Sequence, residues 1–229
     1  MNDLASGHTI KKYDAELQKL EGRVLSMGKL VFQQLQGISH AVREDADYAR
    51  DVIEGERAID SLELKADKLI IKVIARRAPV GTDLRFLVAV SRMVADLETL
   101  GDEAVQMAKS ILEGHGNRTD KNRLPAYEEL DALTQLAAQM LQKAMTAFQE
   151  LDLTAAKEVA FGNAGRDGEL RTRLSGLTKS VMELDDTGQS VDLALTIRSL
   201  ERITSSIRSI GEHIIYLVSN EDVRHQGKA

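Results

Sequence analysis

Apolar residues recur at steps of three and four along almost the whole chain. From about Thr9 to Val42 they fall at Leu17, Leu20, Val24, Met27, Val31, Leu35 and Ile38, one face of a helix. A second run, from Ala46 to about Arg77, continues through Ala49, Val52, Ile53, Ile59, Leu62, Ala66, Leu69, Ile70, Val73 and Ile74, with Asp45 and Asp47 at the turn before it. It stops at Ala78-Pro79-Val80-Gly81, where proline and glycine break a helix. Thr82 or Asp83 caps a third helix, which reaches about Leu112 and ends at Gly114-His115-Gly116. A fourth is expected from Pro125, a residue tolerated in a first turn, to Glu150. Asp152 and Thr154 open a fifth, to about Leu184. After the turn Asp185-Asp186-Thr187-Gly188 a sixth spans about Ser190 to Val218. The spacing predicts an all-α fold of six long helices.

The two halves of this pattern look like a repeat. Displacing the first two helices by 107 residues lays Asp45, Ala49, Val52 and Asp60 on Asp152, Ala156, Val159 and Asp167. Displacing the third by 103 lays Asp83, Leu97, Glu98 and Ile111 on Asp186, Leu200, Glu201 and Ile214. The expected architecture is two tandem three-helix antiparallel bundles, residues 8–116 and 123–220, divided in the polar stretch 117–122. Each helix of about 30 residues would be roughly 45 Å long. The third helix is apolar at Val90, Met93, Leu97, Leu100, Ala104, Met107 and Ile111, and again at Leu84, Leu87 and Val94. So wide a face suits a helix covered from two sides, with Met93 and Met107 as core filler. Gly28, Gly37 and Gly55, inside helical stretches, read either as close helix contacts or as local weakness.

Composition narrows the function classes. Two prolines, no tryptophan and an aromatic fraction of 3% argue against a β-sandwich or barrel and against aromatic stacking platforms for single-stranded nucleic acid. The absence of cysteine excludes disulfide scaffolds, thiolate zinc sites and cysteine nucleophiles. Thirty basic against 36 acidic residues give a net charge of −6, a poor basis for nucleic-acid binding. No run reaches the roughly 18 apolar residues of a membrane span, and the N-terminus lacks the pattern of a secretory signal. A cytoplasmic location is expected.

Carboxylates carry the candidate chemistry. Glu98 and Asp102 stand four apart on the third helix, hence on one side of it. Asp60, Glu63 and Asp67 follow at steps of three and four on the second. Packed side by side, the two helices would bring five carboxylates together, a donor set suited to hard or borderline cations such as Mg²⁺, Mn²⁺, iron or Ca²⁺. The competing reading is a solvated face whose acids pair with Arg57, Lys65 and Lys68 at little energetic gain. Glu-x-x-His, which a ferritin-like di-iron centre needs twice, is missing before all five histidines. His213 therefore reads as a structural or interface histidine. Phosphate-cradling and nucleophile-elbow motifs are also absent from the sequence. Arg76, Arg77 and Arg85 surround the Pro79 break, where they complement a helix C-terminus or bind an anionic partner.

These segments, taken together and in order, resemble the PhoU family of phosphate-transport accessory and regulatory proteins. The resemblance covers about residues 8–225. It is carried by Tyr13-Asp14 and Glu16-Leu17, Met27-Gly28, Ile59-Asp60-x-Leu62-Glu63, the junction Ala78-Pro79-Val80-Gly81-Thr82-Asp83-Leu84-Arg85, Asp96-Leu97-Glu98-x-Leu100-Gly101-Asp102, Leu200-Glu201-Arg202-Ile203 and His213-Ile214-Ile215-Tyr216-Leu217. It implies tandem three-helix bundles and a nonenzymatic cytoplasmic regulator, peripheral to the inner membrane through its partners only. It implies a negative regulator of phosphate uptake and phosphate-starvation genes, bridging the ATPase subunit of the phosphate ABC transporter and the phosphate-sensing histidine kinase, and acting as a homodimer or larger oligomer. It also implies Mg, Mn, Fe or Zn at Glu/Asp-x-x-x-Asp motifs, which Glu98–Asp102 matches and Glu63–Asp67 matches in spacing. The second half departs from that pattern: Glu201 is followed four residues on by Ser205, and Glu169 by Arg173, which would supply a cation where a metal would sit. At most one metal cluster, in the first half, is expected. The alternatives are a metal-dependent helical enzyme using the same carboxylates, or a scaffold whose acidic stripes merely face solvent.

Overall fold

The structure is a computed structural model describing residues 11–43, 45–115, 125–162, 166–182 and 187–223, the side chains of 114–115, 166–169, 171 and 189 excepted. The described residues form α1 (Lys11–Arg43), α2 (Asp47–Arg77), α3 (Gly81–His115), α4 (Pro125–Glu150), α5 (Leu153–Phe161), α6 (Arg166–Met182) and α7 (Thr187–Ser219), with no strand among them. The expected starts at His8 and Thr9, the boundary at 117–122 and the helix end at Leu184 lie outside the described residues.

Helix ends follow the local chemistry. Ala78 takes the left-handed conformation (φ 46°, ψ 55°) and its N–H bonds the Ile74 carbonyl at 3.2 Å, closing α2 before Pro79. Gly81, at φ 58°, turns the chain into α3. Asp152 caps α5 by accepting from the backbone N–H of Thr154 (2.8 Å) and Ala155 (3.0 Å). The expected single fifth helix is corrected here. It is two helices, because Gly162 adopts φ 74°, ψ 167°, a backbone no helix contains. Among the described residues there are therefore seven helices, not six.

In the first half α1, α2 and α3 pack on one another; in the second, α4 and α7 pack with α5 and α6. Two further contacts join the halves, α1 on α4 and, most extensively, α3 on α7. Each pairs corresponding members of the sequence repeat. Both run antiparallel: Ser39 of α1 bonds Asp131 of α4 while Gly28 abuts Met145, and in α3 and α7 Asp96 faces His213 while Glu103 faces Arg202. One apolar core runs through both halves, with Leu20, Met27, Leu35, Met93, Leu97, Met107, Leu200 and Ile207 fully enclosed. Each such side chain contributes about 1.5–3 kcal/mol relative to exposure. Met93 and Met107 are core residues, as their spacing predicts.

Glycines mark where helices approach closely. A Cβ on Gly28 would lie 2.3 Å from Met145 Sδ, and one on Gly37 2.7 Å from Val52 Cγ2. Both are close contacts; Gly55 has no atom within 4 Å and is only a weak point of α2.

Candidate functional site

α2 lies beside α3, and this packing sets the acidic residues of the two helices against each other. On α2, Glu56, Asp60, Glu63 and Asp67 follow at steps of four, three and four and share one face. On α3, Glu98 and Asp102 sit one turn apart. Asp102 is the hub. Its carboxylate is in hydrogen-bond contact with both Glu56 and Glu98 and lies in the field of Glu63. Leu97, Leu100 and Ile59 are buried beneath, so the acids stand on an apolar floor.

The electrostatics record the crowding. Burial, then the charges of Asp102 and Glu63, push Glu98 up to about 7. Burial and the Asp102 carboxylate push Glu56 up to about 7 as well, against a small opposing pull from Lys109. Burial and then the Asp67, Asp60 and Asp102 charges raise Glu63. Among the described residues no lysine or arginine forms an ion pair with any of the six acids. The ion pairs expected with Arg57, Lys65 and Lys68 are thus not found among the described residues, while Asp60 and Asp102 are exposed to solvent. Glu56 was not among the five expected site residues. Its signal was the same four-residue step, to Asp60.

Six carboxylates without an ion-pair partner among the described residues, three of which (Glu56, Glu63 and Glu98) burial and neighbouring charge raise in pKa, are donors of the type that suits a hard divalent ion. They stand as hydrogen-bonded pairs around Asp102. No set of three or more His, Asp and Glu side chains among the described residues is closed into a cage that could hold a metal.

The matching face of the second half has other contents. At the positions corresponding to Glu63 and Asp67 stand Leu170 and Leu174, both buried. With Ser175, Glu201, Thr204, Ser205 and Arg208 they line a cavity of about 270 Å³. Arg173 is not on this face. It grips Glu129 of α4 through Nε and Nη2 (2.7 and 3.0 Å), because its counterpart in α2 is the core-facing Ala66. The expectation that Arg173 replaces a metal in place is corrected accordingly; the side chain of Glu169 lies outside the described residues.

The remaining candidates fall elsewhere. His213 is buried between α3 and α7 with Nε2 3.0 Å from Asp96 Oδ2, a structural position. Arg77 donates to Glu16 from Nε and Nη2 (3.2 and 3.1 Å), Lys72 adds a second cation at 3.4 Å, and the guanidinium lies 5.8 Å from the Tyr13 ring centre. Burial works to raise the Glu16 carboxyl, but the bonds and charges of Arg77 and Lys72 outweigh it and hold the group below the usual range. Arg76 is exposed and Arg85 half-buried near the same turn.

Comparison with known proteins places the whole chain. A family model described as the PhoU domain matches residues 24–111. The chain is 35% identical over 222 residues to the phosphate-specific transport system accessory protein PhoU of Edwardsiella tarda, covering 96% of this chain and 90% of that one. It is 32% identical to the protein of the same name from Escherichia coli K12, with the same coverage. The crystal structure of PhoU from Pseudomonas aeruginosa superposes with a TM-score of 0.82 at 31% identity, covering 91% of this chain and all of that one. The phosphate transport system regulatory protein PhoU of Streptococcus pneumoniae gives 0.81 at 25% identity, with 92% and 99% coverage.

Proposed function

Because the chain belongs to the PhoU family, we propose that it is a nonenzymatic regulator of phosphate-specific transport, restraining uptake and phosphate-starvation gene expression by binding the transporter's ATPase subunit and the phosphate-sensing histidine kinase. The observation that carries the reading is the match over nearly the whole length to relatives named as transport-system accessory proteins, together with the same fold. A helical body of this kind acts by offering surfaces. It changes a partner only through different affinities for that partner's states. The expected duplicated architecture, two tandem helical halves acting as paired docking bodies in a homodimer, belongs to this reading. So does a cytoplasmic location.

Within it, the first-half acids would close around a divalent or ferric ion, Mg, Mn, Fe or Zn, as it binds. Glu98, Asp102, Asp60, Glu63 and Asp67, with Glu56, are the residues that would hold it. A bound cation supplies the countercharge these acids lack and fixes the outer face of α2 against α3. The acids themselves set the registry of the two helices and the negative charge of the surface. Nothing among them is placed as a nucleophile with a base, which disfavours the alternative of a metal-dependent enzyme.

Affinity capture with the tagged full chain from phosphate-replete cells tests the function. Recovery of the transporter ATPase or the kinase is the expected result. Recovery of neither, with the bait folded, refutes the proposal.

A further inference from the structure

The turn between α2 and α3 presents an apolar tip that the fold does not cover. Val80 is 78% exposed, Ile71 67%, Ile74 43% and Leu84 41%. Ala78 in the left-handed conformation, Pro79 and Gly81 fix the turn, so the tip is a rigid projection. Cations surround it. Arg76 and Arg85 flank the turn, and Lys72 lies one turn back on α2. Lys11 and Lys12 are exposed at the start of α1, which the Tyr13 hydroxyl ties to Asp83 of the α3 first turn at 3.0 Å. Of the nearby acids, Asp83 accepts that bond and Glu16 is buried under Arg77 and Lys72, while Asp67 stands one turn before Ile71 on α2. Glu221 and Asp222 follow α7, whose antiparallel packing on α3 returns its C-terminal end toward the start of α3. A chain of net charge −6 thus gathers cations around its most exposed valine.

We propose that the α2–α3 tip docks directly on an anionic lipid surface, Val80, Leu84, Ile71 and Ile74 entering the headgroup layer while Arg76, Arg85, Lys11 and Lys12 meet the lipid phosphates. Two features favour lipid over a protein groove. Four side chains on a convex hairpin end fall well short of the roughly 800 Å² per partner that a stable protein interface buries. A membrane needs less, because shallow apolar insertion and a basic patch act together. The contact is weak, reversible and salt-sensitive, as a regulator moving between partners requires. It also departs from the sequence expectation of attachment through protein partners alone.

Vesicle co-sedimentation of the full chain tests it, with phosphatidylglycerol mixed in equal parts with phosphatidylcholine against phosphatidylcholine alone. The chain partitions to the anionic vesicles at least tenfold more than to the neutral ones, and the excess disappears between about 0.1 and about 0.5 M salt, where screening shortens to a few ångströms. Val80→Asp with Leu84→Asp removes the binding; Arg76→Gln with Arg85→Gln lowers it several-fold. Val80, Leu84 and Arg76 lie at the surface and Arg85 is half-buried, and circular dichroism confirms that the variants fold. No preference for anionic vesicles, or binding that survives Val80→Asp with Leu84→Asp, overturns the proposal. So does a tip that, with a photo-crosslinker in place of Val80, labels only protein in the presence of such vesicles.

Discussion

The α2–α3 face and the α6–α7 face occupy the same place in a duplicated pattern and have diverged in charge. In the first, Glu63, Asp67, Glu98 and Asp102, with Glu56 and Asp60, crowd over an apolar floor with no ion-pair partner among the described residues and only a weak pull from Lys109. In the second, two of the four positions are the buried leucines Leu170 and Leu174, one is Ser205, and only Glu201 keeps a carboxylate. The backbone scaffold tolerates either filling: acids above the core in the first half, and leucines that join the core in the second. Charge can therefore be concentrated in one copy while the other is neutralised. Function that depends on the acids is confined to one half, and function that depends on shape remains available to both.

The largest effect should come from removing the hub. Glu98→Ala with Asp102→Ala abolishes Mn²⁺ or Mg²⁺ binding in calorimetric titration, whereas Ser205→Asp, which restores a Glu-x-x-x-Asp step, gains none because Leu170 and Leu174 offer no donors. Unchanged metal content in the first variant, or uptake at Glu201 in the second, breaks the comparison. Binding should also be tighter at pH 8 than at pH 6, since a cation must displace protons from Glu56 and Glu98, both held to about 7.

Packing separates the halves next. Gly211 of α7 lies so close to α5 that a Cβ would meet Ala160 N at 2.8 Å and Ala156 O at 3.0 Å. Its first-half counterpart on α3 is Ala108, fully buried and accommodated. Gly211→Ala should cost about 1–3 kcal/mol, since backbone atoms cannot turn aside. Gly28→Ala should cost less, because the obstructing Met145 thioether is flexible. Denaturant unfolding that ranks the two the other way would place the tight contact elsewhere.

A third test reads the charge directly. Glu56 and Glu98 are protonated in the folded chain up to about 7, but near 4.5 when unfolded. Between those values the folded state binds more protons, so without metal its stability falls as pH rises from about 4.5 to about 7. Asp102→Asn removes the charge that both share, lowers both groups and flattens that slope. A slope unchanged in Asp102→Asn, measured by thermal unfolding across the window, would show that the six acids do not interact as the geometry requires.

Much of this was legible in the spacing of residues. Helix boundaries at Arg77 and Pro125, the capping role of Asp152, the double burial of α3 and the nearness of Asp60 and Glu63 to Glu98 all follow from local periodicity. The break between α5 and α6 was written in Gly162-Asn163-Ala164-Gly165, but the apolar period on either side masked it. Other features depend on distant partners. Arg77 meets Glu16 across 61 positions of sequence, and Arg173 turns to Glu129 across 44. No spacing rule on one helix reveals a salt bridge to another. Exposure of Val80 was equally hidden, since an apolar residue beside a proline reads the same whether or not a neighbour covers it.

The smallest effect concerns how the two halves end their second element. α2 closes on Ala78 at φ 46°, ψ 55°, whereas α5 closes on Gly162 at φ 74°, ψ 167°. A left-handed alanine carries about 1–2 kcal/mol of strain that glycine avoids, while glycine loses up to about 1 kcal/mol more chain entropy on folding. Ala78→Gly should therefore stabilise by about 0.5–1 kcal/mol in denaturant unfolding. The Gly162 conformation is nearly closed to side chains, so Gly162→Ala should destabilise by about 1–3 kcal/mol. Opposite signs for the two substitutions mean that α2 stops on a mildly strained residue and α5 on one that redirects the chain. In the 107-residue register Gly162 falls on Gly55, which lies inside α2, so the second half has two shorter rods where the first has one. Equal signs would trace the break to packing on α7 instead of to the backbone of Gly162.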